Sequence, residues 1–161
     1  MVFKAVQYLA KTHLIFWDFD GVIKDSVDVK TSAYERLFLP FGREIADRVR
    51  LHHESHGGVS RFDKIPLYLA WAGELATSAQ VENYCERFSQ LVMQSVIDAP
   101  WVPGVREYLS EHFLYQYFVL VTATPQQEIE KILAALDLSQ YFREVYGAPN
   151  KKADAIKTVL L

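Results

Sequence analysis

The 161-residue sequence predicts an α/β protein built on a parallel sheet, with a helical module inserted after the first strand. Three observations predict it. Short apolar, β-branched and aromatic runs stop at polar residues, the pattern of buried strands that feed loops. Helix-start signals follow the later runs, giving the order strand, helix, strand, helix. Between the first two runs lie some seventy-five residues in which strand signals are scarce and helical spacing is good.

The first strand is read at His13-Leu-Ile-Phe-Trp17, ending at Asp18. The second is Tyr117-Phe-Val-Leu-Val121, ending at Thr122. Thr124-Pro125-Gln126-Gln127 then reads as an N-cap, a proline at N1 and a capping-box glutamine, opening a helix through Ile129, Ile132, Leu133 and Leu136. Glu144-Val-Tyr-Gly147 reads as a third short strand, followed by a turn at Pro149 and a basic helix start at Lys151 and Lys152. The inserted module, residues 25–100, is expected to hold about four helices. Pro40 to Gly42 ends one, Gly57 and Gly58 end the next, Thr77 and Gln80 form a capping box, and Pro100 to Gly104 closes the excursion. The flanking segments, 1–24 and 101–161, supply the sheet.

Composition narrows the function classes. Half of the residues are hydrophobic and 14% are aromatic, enough for one core with a modest module beside it. Seventeen Lys and Arg against twenty Asp and Glu give a net charge of −3, so the chain lacks the basic field that nucleic acid or an anionic membrane surface would require. The single cysteine, Cys85, has no intramolecular partner for a disulfide and sits among Tyr84 and Phe88 as a small core residue. With no apolar leader and no run near the roughly 20 residues of a membrane span, the expectation is a cytoplasmic protein.

The chemistry concentrates in Asp18-Phe-Asp20-Gly21-Val-Ile-Lys-Asp25, placed where a buried strand ends. In open α/β sheets that carboxyl end is where ligands bind. Two carboxylates at i and i+2 converge on one small site, and Gly21 keeps the loop sharp and uncrowded where a substrate sits. One carboxylate can attack and the other can shuttle a proton. Facing a phosphate dianion, the pair needs a hard cation such as Mg²⁺ to offset repulsion, with Asp18 and Asp20 as its candidate ligands.

At these residues the sequence resembles motif one of the haloacid dehalogenase superfamily, in the branch of phosphoglycolate phosphatase and β-phosphoglucomutase. The resemblance implies a Rossmann-like core with an all-helical cap inserted over residues 25–100. It casts Asp18 as the nucleophile and Asp20 as the general acid and base. It casts Thr122, at the end of Val119-Leu-Val-Thr122, as the holder of the phosphoryl oxygens together with neighbouring amides such as that of Ala123. Gly147-Ala-Pro-Asn-Lys-Lys152 is similar to the motif carrying the superfamily's lysine, which aligns with Lys152, with Lys151 as the alternative. Within the insertion, Gly58-Val-Ser60-Arg61 is similar to the substrate loop of the phosphomutases, which implies that Arg61 grips a second, non-reacting phosphate; on the residues alone, Ser60 and Asp63 equally form a capping box with Arg61 on the surface.

The implied function is Mg²⁺-dependent hydrolysis of a small phosphorylated metabolite, such as a sugar phosphate, through an aspartyl phosphate. A sugar phosphomutase is the second reading and a non-catalytic binding module the third. Lys30 stands where those mutases carry a histidine that restrains hydrolysis, which favours the phosphatase, and the retained Asp20 disfavours dehalogenation. The superfamily's fourth, acidic motif is expected after the helix that begins near Lys152, beyond Leu161, so the chain is expected to be incomplete, to hold Mg²⁺ weakly and to show low activity. Finally, His52 and His56 share a helical face, but only Glu54 stands by to complete a metal site. The expected place of His52, His53 and His56 is the cap edge, where they would meet an anionic substrate.

Overall fold

The computed structural model describes residues 12–161. Of the expected core segment 1–24, residues 1–11 lie outside the described residues. Strand β1 (Leu14–Trp17) is followed by four helices, α1 (Val27–Phe38), α2 (Arg43–Ser55), α3 (Arg61–Trp71) and α4 (Ser78–Asp98). Helix α5 (Val105–His112), β2 (Tyr117–Pro125), α6 (Gln126–Ala135), β3 (Glu144–Ala148) and α7 (Lys152–Leu160) complete the order.

The three strands form a parallel sheet in the order β1-β2-β3, with Trp17 opposite Leu120 and Val119 opposite Glu144. Side chains alternate across it, as strand geometry requires. Ile15, Trp17, Phe118 and Leu120 join the large core shared with α6 and the inserted helices, while Leu14, Phe16, Val119 and Val121 pack under α7 against Ala155, Ile156 and Val159. Parallel strands covered on both faces read as continuous apolar runs, which is why the strand signals were clean.

The helix punctuation follows the residues. Gly42, at φ 106°, turns the chain between α1 and α2 after the short 3-10 turn Leu39–Phe41. Ser60 caps α3 by accepting from the Phe62 amide at 3.3 Å, and Thr77 caps α4 by accepting from the Gln80 amide at 3.3 Å. The Gln80 side chain turns to Glu74 at 3.1 Å, so the reciprocal half of that capping box is not made.

One boundary differs from expectation. Strand β2 runs to Pro125, four residues past the expected end, and Pro125 rather than Thr124 takes the N-cap position of α6, with no side-chain cap. The Thr124 hydroxyl accepts from Lys30 Nζ at 2.9 Å, so it is committed across the cleft and not to its own helix. The β2–β3 register is broken between Val121 and Pro125, which lifts Thr122-Ala123-Thr124 out of the regular ladder at the sheet's carboxyl end. Opposite this irregularity Gly147 meets α6 so closely that a Cβ would lie 2.7 Å from the Gln126 backbone and from the Thr124 carbonyl oxygen. Only glycine permits that approach.

Candidate active site

The first carboxylate is placed by the end of β1. Asp18 Oδ1 accepts from the Phe19 amide at 2.8 Å, and Oδ2 pairs with Lys152 Nζ. Lys152 is the first residue of α7, so the tight loop after β3 brings a cation from the third strand's crossover onto the first strand's acid. Lys151 sits one residue earlier, at the N-cap, and lines an adjoining cavity instead.

After Asp18 the chain turns at Gly21, whose φ is +74° and whose added Cβ would come within 3.1 Å of Val27. The turn is closed by amides of Val22, Ile23 and Lys24 donating to the Phe19 carbonyl. Phe19 and Ile23 are fully buried and anchor the loop, while Asp20 points into the cleft. Its Oδ1 accepts from Ser26 Oγ at 2.7 Å, and its Oδ2 accepts from Lys30 Nζ at 2.5 Å and, more weakly, from Thr124 Oγ1 at 3.4 Å. Burial pushes the Asp20 carboxyl up, but the Lys30 charge with the hydrogen bonds from Lys30, Ser26 and Thr124 outweighs it, so the group lies below its ordinary range. The Asp20 backbone carbonyl accepts none of the described turn bonds.

These groups border a cavity of about 180 Å³ whose walls include Asp18, Asp20, Lys30, Ala123 and Lys152 from the loops and His53, Gly57 and Gly58 from the end of α2. A second cavity of about 270 Å³ shares Gly58, Ala123 and Lys152 with the first and adds Thr122 and Lys151. The Thr122 hydroxyl is buried and accepts from the Thr124 amide at 3.2 Å. The arrangement thus brings Asp18, Asp20, Ala123 and Lys152 to one cavity, with Thr122 and Lys151 next door.

Arg61 lies elsewhere. The expectation that it reaches a substrate phosphate is corrected: its guanidinium is buried and forms a fork with Glu128, at 2.8 Å from Nη1 and 2.7 Å from Nη2. Ser89 Oγ sits between them, 2.5 Å from each, and the Phe88 ring lies 4.6 Å beneath the guanidinium. The physical reason is placement: with Ser60 capping α3, Arg61 opens the helix on its inward face, where Glu128 in the first turn of α6 awaits a cation.

Four residues of this neighbourhood escaped sequence reading as participants: Ser26, Glu128, Lys64 and, as a direct partner of Asp20, Lys30. A signal existed for Glu128, an acid on the same apolar face as Ile129, Ile132 and Leu133, since a buried carboxylate demands a partner. Of the histidines, His53 reaches the cavity, whereas His52 stacks on His56 with ring centroids 4.1 Å apart and meets the Tyr68 hydroxyl at 2.9 Å. Cys85 is buried, as expected of a core residue.

The donors suit a hard divalent cation only in part. The Asp18 carboxylate and the Asp20 carbonyl are oxygen ligands of the kind Mg²⁺ takes. Among the described residues, however, no three His, Cys, Asp or Glu side chains converge to hold a metal.

No protein-family model matches the sequence. A phosphorylated carbohydrates phosphatase of Thermotoga maritima is 28% identical over 139 residues, covering 80% of this chain and 57% of that protein. A phosphoglycolate phosphatase of Pseudomonas fluorescens is 25% identical over 147 residues, covering 88% of this chain and 53% of the relative. The chain therefore spans a little over half the length of the curated relatives it matches. A haloacid dehalogenase-like hydrolase of Streptococcus pneumoniae superposes with a TM-score of 0.61 at 18% identity, over 92% of this chain and 69% of that one. The chain is thus similar in sequence to these phosphatases and similar in fold to that hydrolase. The shared fold is the parallel sheet carrying Asp18 at the mouth of β1, with the helical insertion directly after that loop. No helix among the described residues is long and apolar enough to cross a membrane.

Proposed function

We propose that the chain carries the nucleophile end of a Mg²⁺-dependent phosphatase for a small phosphorylated metabolite of the sugar-phosphate type. The observation that carries this reading is the Asp18–Lys152 contact, formed at the sheet's carboxyl end with a second aspartate two residues on, over a shared cavity.

In this reading Asp18 attacks phosphorus as the bond to the leaving oxygen breaks, giving an aspartyl phosphate. Asp20 entering the cycle in its protonated form gives that proton to the leaving alkoxide; the carboxylate so formed then takes a proton from the water that attacks the phosphoryl group, and inorganic phosphate leaves. Lys152 spreads the charge that builds on the phosphoryl oxygens, and amides around Thr122 and Ala123 orient them. Lys30 and Ser26 favour the carboxylate form of Asp20, the form that water activation requires. The Asp18 carboxylate and the Asp20 carbonyl would hold Mg²⁺, which supplies charge neutralisation between the nucleophile and the phosphate. Helices α1 to α4 act as the cap, closing the cleft from the His53 to Gly58 side and excluding water. The second reading, a phosphomutase, is disfavoured by Lys30, which ties Asp20 directly where those mutases carry a restraining histidine.

The test is hydrolysis of p-nitrophenyl phosphate in Mg²⁺ by the whole protein. Asp18→Asn is expected to lower kcat by at least about 10³-fold, because the covalent path is lost. Activity retained by Asp18→Asn would overturn the assignment of the nucleophile.

A further inference from the structure

The helical insertion is fastened to the sheet at three places. The first is its own pair of crossings, where the Asp25 amide donates to the Pro100 carbonyl at 2.8 Å and the Val102 amide to the Ile23 carbonyl at 3.0 Å, with the Lys24 ammonium 4.6 Å from the Trp101 ring. The second is Lys30, which reaches from α1 to Asp20 and Thr124. The third is the enclosed fork of Arg61 and Glu128 with Ser89 beside it. Around that fork Phe88 and Val92 of α4 share one buried core with Ile129 and Ile132 of α6. Swinging the four helices aside as one body would pull the fork apart and expose this apolar seam, a large cost for admitting one small molecule.

Residues 56–60, between α2 and α3, escape these ties. They are anchored at both ends: Lys64 Nζ donates to His53 Nδ1 at 2.8 Å, holding the last turns of α2 against α3, and Arg61 is locked to Glu128. Between those anchors every described hydrogen bond of residues 56–60 goes to a partner within residues 52–64, such as that of the Val59 amide to the His56 carbonyl at 3.1 Å, and none reaches the loops after β1, β2 or β3. His56, Gly57, Gly58 and Val59 are exposed, and a Cβ added to Gly57 or Gly58 would meet nothing within 4 Å. Two adjacent glycines in open space let the backbone change its dihedral angles at little steric cost.

The same five residues wall both cavities. Gly57 and Gly58 border the one that holds Asp18 and Lys152, while Gly58, Val59 and Ser60 border the one that holds Thr122 and Lys151. Much of the remaining wall of the first is pinned, Asp18 to Lys152, Asp20 to Lys30 and His53 to Lys64. Lifting one short turn therefore opens both chambers without breaking any tie between the insertion and the sheet.

We propose that the turn of residues 56–60 is the gate of the cleft, moving on Gly57 and Gly58 while α1 to α4 stay fastened to the sheet. The proposal rests on the phosphatase reading for what enters, a phosphomonoester, and goes beyond it in naming what moves. Closed, the turn keeps water from the Asp18 and Lys152 side; open, it admits substrate and releases phosphate.

Nuclear magnetic resonance relaxation of the whole nitrogen-labelled protein tests this without any substitution, in Mg²⁺ with and without orthovanadate as a mimic of the phosphoryl group. Without vanadate the amides of residues 56–60 are expected to show relaxation dispersion or order parameters below about 0.6, while those of Asp25, Ser89 and Val102 show flat dispersion and order parameters near the rigid value of about 0.85. Vanadate should bring the turn to that rigid value. Dispersion at Asp25, Ser89 and Val102 with the same exchange rate as the turn would mean that the insertion swings as a body, and would overturn the proposal. So would a turn that is rigid by both measures before vanadate is added, or one that stays mobile while vanadate shifts the resonances of Asp18 to Gly21 and of Ala123. Vanadate that shifts none of those resonances defeats the phosphatase reading instead.

Discussion

Two ion pairs of the same chemical kind lie in this protein and serve opposite ends. Lys152 and Asp18 keep 33% and 36% of their side-chain surface in contact with solvent, whereas Arg61 and Glu128 keep 3% and 5%. The open pair has a cavity beside it, so an incoming anion can slip between its partners. The enclosed pair is saturated by its own fork and by Ser89, and it ties α3 and α4 to α6. Access to water, more than charge complementarity, separates the pair proposed to react from the structural one.

The sharpest way to break the comparison is to remove one member of the enclosed pair. Arg61→Met strands the Glu128 carboxylate among apolar side chains and should cost about 3–5 kcal/mol in urea unfolding, while the double change Arg61→Met with Glu128→Leu should recover most of it. A loss below 1 kcal/mol would show that the pair is no tie. In the open pair the same kind of deletion should leave the fold intact and appear in turnover. Lys152→Met is expected to lower kcat by about 10²–10³-fold with a melting temperature near that of the unaltered protein.

A smaller effect of opposite sign comes from Lys64, buried like Arg61 but without an acid among the described residues. Its pKa near 8 in the folded state lies below the 10.5 of a free lysine, so the unfolded chain binds the proton more strongly, and the cost is fully present below pH 8. Lys64→Met should therefore raise stability at pH 7 by about 1–3 kcal/mol after allowing for the lone pair left at His53 Nδ1, an advantage that shrinks between pH 8 and 10.5. Urea titrations at pH 7 and pH 10 check both the sign and the window.

Much of this was legible in the residues. The strands announced themselves because both faces of a parallel sheet are covered, and the helix ends because Gly42, Ser60 and Thr77 act through local backbone chemistry. That Asp18, Asp20 and Lys152 meet at one cavity could be anticipated because each stands at the seam of a strand or helix. The end of β2 was misread because Thr124 and Pro125 have the residue types of a cap, yet the threonine hydroxyl found a stronger partner 94 residues away in Lys30. Arg61 was misread for a similar reason: its partner Glu128 is 67 residues distant, and only tertiary packing decides whether an arginine meets a ligand or a carboxylate. The His53–Lys64 couple was hidden because it joins two helices, α2 and α3, across the loop that separates them.

The distance along the chain between Asp18 and Lys152 has a consequence for biogenesis. They are 134 positions apart, so nearly all of the described polypeptide must be made and folded before the acid meets its cation. A nascent chain that has emerged only as far as β3 already displays both aspartates and Lys30 but lacks Lys152, the cation that pairs with Asp18. In the phosphatase reading, a polypeptide halted there would lack the group that neutralises the phosphoryl oxygens.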